Sequence, residues 1–126
     1  MELTDIQKRK RVLIVEDEES NFELLKALLR KRELEISWAK TGIQAVELCD
    51  KQDFHLVLMD IKMPEMNGYM IFEILRSKGM KSPIIAQTAY ARQEDKEKIL
   101  SAGFDGYISK PIDRNKFNSL IDKFIP

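Results

Sequence analysis

Short runs of β-branched and aliphatic residues alternate along the chain with longer segments whose apolar positions recur three and four residues apart. Short apolar runs suit strands and a 3.6-residue period suits helices, so the alternation predicts an α/β domain. The strand candidates are Val12 to Val15, Glu35 to Ala39, Leu56 to Met59, Ile84 to Gln87 and Gly106 to Ile108. The first, third and fourth are apolar almost throughout, as befits strands in the middle of a sheet covered on both faces. Between them, Phe22, Leu25, Leu28 and Leu29 form one helical stripe, and Ile71, Ile74 and Leu75 a second. Phe117, Leu120, Ile121 and Phe124 form a third, with the i, i+3, i+4, i+7 spacing of a helix face turned to a core.

Helix starts are marked as well. Ser20 with Glu23, and Thr41 with Gln44, fit the capping box, in which two side chains satisfy otherwise orphan backbone donors. Asp113 is placed to cap the last helix. The segment from Arg92 to Lys98 is almost wholly charged, and only Ile99, Leu100 and Ala102 give its helix anything to bury, so it is expected to be the most loosely attached. Five βα units with right-handed crossovers make a doubly wound parallel sheet with helices on both faces, and such sheets place ligands at the carboxyl ends of their strands.

Composition narrows this. At 126 residues the chain is one domain in size. Residues 1–10 read as a leader or linker and 11–126 as the domain; the basic run from Lys8 to Arg11, before the first apolar segment, reads as a solvated leader or linker in preference to a nucleic-acid contact. Lysine plus arginine and aspartate plus glutamate number 21 each, so no basic excess points to direct nucleic-acid binding. No apolar run is long enough to span a bilayer and no signal-peptide pattern opens the chain, which predicts a soluble, cytoplasmic domain with no membrane insertion of this segment. The only cysteine, Cys49, excludes an internal disulfide and is expected to be a small buried side chain.

The residues that close each strand carry the chemistry. Glu16 and Asp17 follow the first strand, Asp60 the third, Thr88 the fourth and Lys110 the fifth. If the first and third strands are neighbours the three acids converge, and two carboxylates about 4 Å apart repel by about 4 kcal/mol at an effective dielectric near 20. Such a cluster calls for a cation or a proton, and all-oxygen ligands suit Mg²⁺ better than zinc. Lys110 and Thr88 add a positive charge and a hydroxyl donor, as phosphoryl transfer needs, and a carboxylate oxygen can be the nucleophile. Asp60 is the candidate. Taken singly, each of these residues could be a helix cap or a turn; one at the end of each of four strands is harder to explain that way.

At this point the sequence closely resembles the response-regulator receiver family: VLIVEDEESN, LVLMDIKMPEMNG, PIIAQTAYA and GFDGYISKPI fall in order over nearly the whole chain. The resemblance implies a CheY-like sheet with strand order 2-1-3-4-5. It implies Asp60 as phosphoacceptor, Glu16 and Asp17 as the acidic pair with Asp17 a direct metal ligand, and the backbone carbonyl of Lys62 as another ligand. Thr88 matches the phosphate-sensing hydroxyl, Lys110 the conjugate lysine and Tyr107 the switch aromatic; a cis Lys110-Pro111 bond is also implied. The turn signals Met63-Pro64 and Asn67-Gly68 bring the loop after Asp60 back toward the site.

Departures from the family pattern matter too. Glu16 stands where Asp is more frequent, and its extra methylene suggests a water-mediated metal contact. Lys62 and Tyr90, each two residues beyond a site residue, match positions that in this family flank the path of the hydrolytic water, and the resemblance thus implies slowed dephosphorylation. MDIKMPEMNG and QTAYA look most like receivers of hybrid histidine kinases, so the expected partner is a histidine kinase or histidine phosphotransfer domain. The domain would then be free or part of a membrane-anchored hybrid kinase, and whether the phosphorylated form pairs as a homodimer is open. His55 precedes the third strand and is a poor phosphodonor. No effector domain is expected after the last helix, so output would pass through the surface around the fourth helix, fifth strand and last helix, with Tyr107 turning inward.

Two other classes compete. A Mg²⁺-dependent phosphohydrolase like the haloacid dehalogenases would use Asp60 as nucleophile, but its second acid, two residues on, is Lys62 here. A receiver that only binds a partner would not need every acidic, hydroxyl and lysine position intact. The expectation is a phosphoacceptor signalling domain, not a turnover enzyme.

Overall fold

The computed structural model describes residues 9–89 and 92–126. Strand β1 (Arg11–Val15) leads to helix α1 (Glu19–Leu29) and a 3₁₀ turn, then β2 (Glu35–Ala39) and α2 (Gly42–Lys51). There follow β3 (Leu56–Asp60), α3 (Gly68–Ser77), β4 (Ile84–Thr88), α4 (Gln93–Ala102), β5 (Gly106–Ser109) and α5 (Arg114–Phe124). All strand pairs are parallel, in the order 2-1-3-4-5 that the resemblance implied.

Burial follows the apolar pattern. Every residue of β3 and β4 is buried, whereas β2, an edge strand, buries only Ala39. The sheet separates two cores, because side chains alternate between its faces. Val12, Ile14, Leu56, Leu58, Ile85 and Ile108 pack under α1 and α5 against Phe22, Leu25, Phe117 and Ile121. Leu13, Val15, Val57, Met59, Ile84 and Ala86 pack on the other face against Ala45, Ile71, Phe72, Leu75 and Ile99.

The helix starts differ in part from expectation. Thr41 accepts from the Gln44 N–H at 3.1 Å, but the Gln44 side chain returns to the N–H of Lys40, not to that of Thr41. Asp113 caps α5 through the N–H of Lys116, and Asn67 caps α3 through the N–H of Met70. The Ser20 capping box does not form: α1 begins at Glu19, with the extended residue Glu18 at its N-cap and no side-chain cap. The acidic side chain of Glu19 in that first turn complements the helix dipole instead.

Two further expectations are refined. Cys49 is half-buried, packed on the rim of the core that α2 covers, and burial pushes its thiol up to about 11. Helix α4 buries Ile99, whereas Leu100 and Ala102 are exposed. Two ammonium groups lie against aromatic rings at its borders: Lys98 is 4.9 Å from the Tyr69 ring centroid and Lys96 is 5.6 Å from that of Tyr107.

Candidate functional site

The carboxyl edge of the sheet brings the first and third strands together, since Val15 is the register partner of Met59. Glu16 and Asp60 therefore come level at the strand ends. Carboxylate oxygens of Glu16, Asp17 and Asp60 lie within 4.8 Å of one another. Glu16 and Asp60 are buried, and Asp17 sits outside them with more exposure.

Glu16 is held on both sides of its main chain. Its N–H donates to the carbonyl of Ala39 at 2.9 Å, and its own carbonyl accepts from the indole N–H of Trp38 at 2.8 Å. Its carboxylate Oε1 accepts from Asn21 Nδ2, while Oε2 is buried without a hydrogen-bond partner among the described residues. Burial, and then the neighbouring Asp60 carboxyl, push the Glu16 pKa up from 4.5 to about 8, against the opposing pull of Asn21 and Lys110.

Asp60 ends β3, and its Oδ1 accepts from the N–H of Lys62 at 3.1 Å. The loop then returns on itself: the N–H of Gly68 donates to the carbonyl of Ile61 at 2.9 Å. A Cβ on Gly68 would lie 2.6 Å from the Asp60 carbonyl oxygen, so only glycine fits there without displacing backbone. Lys110 Nζ reaches in from the fifth strand, 3.7 Å from Glu16 Oε1 and 3.6 Å from Asp60 Oδ2. The Lys110 N–H donates to the carbonyl of Thr88 at 2.9 Å, which ties the lysine to the end of β4, and the Lys110-Pro111 bond is cis as implied. Thr88 is buried at that strand end.

A hard cation fits these residues. The donor set is all oxygen, one carboxylate oxygen is buried and unpartnered, and the Lys110 ammonium is shared between two acids.

Residues 12–122 match the response regulator receiver domain family. The chain belongs to that family. A receiver-containing relative, the signal transduction histidine-protein kinase BarA of Escherichia coli, is 36% identical over 117 residues. That match takes in 91% of this chain and only 13% of the kinase. The receiver domain of sensor histidine kinase PA1611 from Pseudomonas aeruginosa superposes with a TM-score of 0.83 at 33% identity, covering 93% of this chain and 98% of that one. Its structure has a magnesium ion coordinated in the active site cleft. A chain in the co-crystal structure of the Saccharomyces cerevisiae histidine phosphotransfer protein Ypd1 with the receiver domain of Ssk1 matches at 29% identity and a TM-score of 0.80. That match covers 93% of this chain and 89% of that one.

The remaining expected residues of this receiver are placed as follows. Tyr107 is half-buried on β5, its register partner is Ala86, and it packs against the core under α2, α3 and α4. Lys62 is exposed, and its main chain lies against Asp60. Tyr90 lies outside the described residues. His55 precedes β3, at the opposite edge of the sheet from Asp60, about 17 Å away for a strand of this length. Its Nδ1 accepts from the N–H of Arg11 at 2.9 Å, so it belongs to the framework.

Three residues of the site escaped sequence reasoning: Trp38, Asn21 and Gln87. Trp38 stacks on Phe22 with centroids 4.2 Å apart and planes 3° from parallel, and the Lys40 ammonium lies 4.6 Å from its ring. Asn21 Nδ2 also donates to Gln87 Oε1 at 3.2 Å. For Gln87 there was a signal, a lone amide in the apolar run from Ile84 to Ala86.

Proposed function

We propose that this receiver takes a phosphoryl group on Asp60 from the phosphohistidine of a histidine kinase or histidine phosphotransfer domain, with Mg²⁺ held by Glu16, Asp17, Asp60 and the carbonyl of Lys62. The observation that carries the reading is the Lys110 ammonium within 4 Å of both Glu16 and Asp60, at the edge where three carboxylates meet. When bound, Mg²⁺ supplies neutralisation of charge on the phosphoryl oxygens.

The chain's own residues do the rest. An Asp60 oxygen attacks phosphorus in line, the new P–O bond forms as the P–N bond to the imidazole breaks, and the bonding pair leaves with the nitrogen. Lys110 is close enough to follow charge from the carboxylate onto the phosphoryl group, and the Thr88 hydroxyl supplies a donor at the neighbouring strand end. Burial of Asp60 keeps bulk water from competing. The domain assists its own modification and is not a turnover enzyme.

Output follows from the loosely packed α4. Drawing Thr88 toward the phosphoryl group shifts the end of β4, Tyr107 turns inward, and α4 repacks against β5 and α5. The single buried residue of α4, Ile99, gives that helix little to resist such a shift. A phosphorylated histidine phosphotransfer domain should pass its label to the wild-type chain and not to Asp60→Asn; equal labelling of both would refute the assignment of Asp60.

A further inference from the structure

Three polar side chains stand in a row across β1, β3 and β4. Glu16 comes level with Asp60 at the strand ends, and Asp60 is the register partner of Gln87. Leu58 and Ile85, two residues earlier, both belong to the core under α1 and α5, so the alternation of a strand puts Asp60 and Gln87 on that same face.

Gln87 is the unexplained member. It is fully buried, and its Nε2 has no hydrogen-bond partner among the described residues. An unsatisfied buried donor costs about 1–3 kcal/mol, and methionine would fill much the same volume without that cost. What the amide supplies is an acceptor. Gln87 Oε1 takes one hydrogen of Asn21 Nδ2, and the same nitrogen gives its other hydrogen to Glu16 Oε1. An Asn amide can present either its nitrogen or its oxygen to a neighbour, and the oxygen would repel a carboxylate. With Gln87 Oε1 beside it, the nitrogen is the end turned toward both. The Gln87 carbonyl meanwhile accepts from the N–H of Ile61 at 3.1 Å, so the residue also fixes the chain just after Asp60.

We propose that Gln87 is a positioning residue for metal binding, orienting the Asn21 amide so that the Glu16 carboxylate is held facing Asp17 and Asp60. The inference rests on the reading of those three acids as a Mg²⁺ site. Groups that orient metal ligands typically change metal affinity by about 10–100-fold when removed.

The test is calorimetric titration of Mg²⁺ into the full chain, with thermal midpoints of the metal-free proteins measured alongside. Gln87→Met should weaken Mg²⁺ binding about tenfold without lowering the midpoint, since it also removes the unsatisfied donor. Asn21→Ala should weaken it similarly, and the double variant should be no weaker than Asn21→Ala alone, because the two residues act in series. Should Gln87→Met fail to fold, Gln87→Leu, which also removes the acceptor beside Asn21, takes its place as the deciding variant. An affinity within twofold of wild type for the deciding variant, or additive losses in the double variant, would overturn the role of Gln87 and leave the metal site standing. Absence of Mg²⁺ binding by the wild type would overturn both.

Discussion

The indole N–H of Trp38 donates to the main-chain carbonyl of Glu16 at 2.8 Å, joining the edge strand to the acidic end of β1. Trp38 is the only tryptophan of the chain. If Mg²⁺ binds at Glu16 as proposed, a shift of the Glu16 main chain would alter the hydrogen bond of the one indole that emits. Mg²⁺ titration should therefore shift or quench the tryptophan fluorescence of the wild type, with no response in Asp17→Asn. Emission that stays constant while calorimetry records binding would contradict this link.

The raised pKa of Glu16 sets a proton against the metal. With its folded value at about 8 and its ordinary value at 4.5, Glu16 contributes stability that is fully present below pH 4.5 and is lost as pH rises through about 8. The metal-free protein should thus lose thermal stability across that window, and Glu16→Gln should flatten the loss. Mg²⁺ at the proposed site would have to displace that proton, so its affinity should rise by up to about tenfold per pH unit and level off above pH 8. An affinity independent of pH from 6 to 8 would exclude a protonated Glu16.

Gly68 is required by contact with the backbone of Asp60, the proposed phosphoacceptor. A Cβ there would meet the Asp60 carbonyl oxygen at 2.6 Å and Ile61 Cα at 2.9 Å. Gly68→Ala should destabilise by about 1–3 kcal/mol in denaturant unfolding, as overpacking against rigid neighbours does, and should slow phosphorylation by displacing Asp60. Unchanged stability and rate would mean the loop yields freely.

His55 gives a second pH dependence, of opposite sign. Partial desolvation of the largely exposed imidazole, then the nearby charges of Lys10 and Arg11, lower its pKa below the ordinary 6.5, and its Nδ1 must stay unprotonated to accept from the Arg11 N–H. Its contribution is present above pH 6.5 and lost as pH falls through the lower folded value. Between pH 7 and 5, unfolding midpoints of wild type and His55→Gln should diverge, the wild type falling faster.

Much of this was legible before the fold was known, and the reason is local. Asp60, Thr88 and Lys110 each stand where an apolar strand turns polar, and a doubly wound sheet gathers such ends at one edge. Asp113 and Thr41 could be read as caps because a cap bonds within three residues. What stayed hidden depends on strand pairing. Gln87 and Asn21 are 66 positions apart and meet only because β4 lies next to β3 and β3 next to β1. Trp38 reaches Glu16 across 22 positions for the same kind of reason. The Ser20 box failed although its spacing was right, since Glu18 turns the chain into the helix before Ser20 is reached.

The most direct test of the account is the intact mass of the full chain after incubation with Mg²⁺ and a small-molecule phosphodonor, beside Asp60→Ala. One added phosphoryl group is expected on the wild type, none on Asp60→Ala, and none on the wild type when Mg²⁺ is chelated beforehand. A phosphoryl group gained equally by Asp60→Ala, or by the wild type without Mg²⁺, would contradict it.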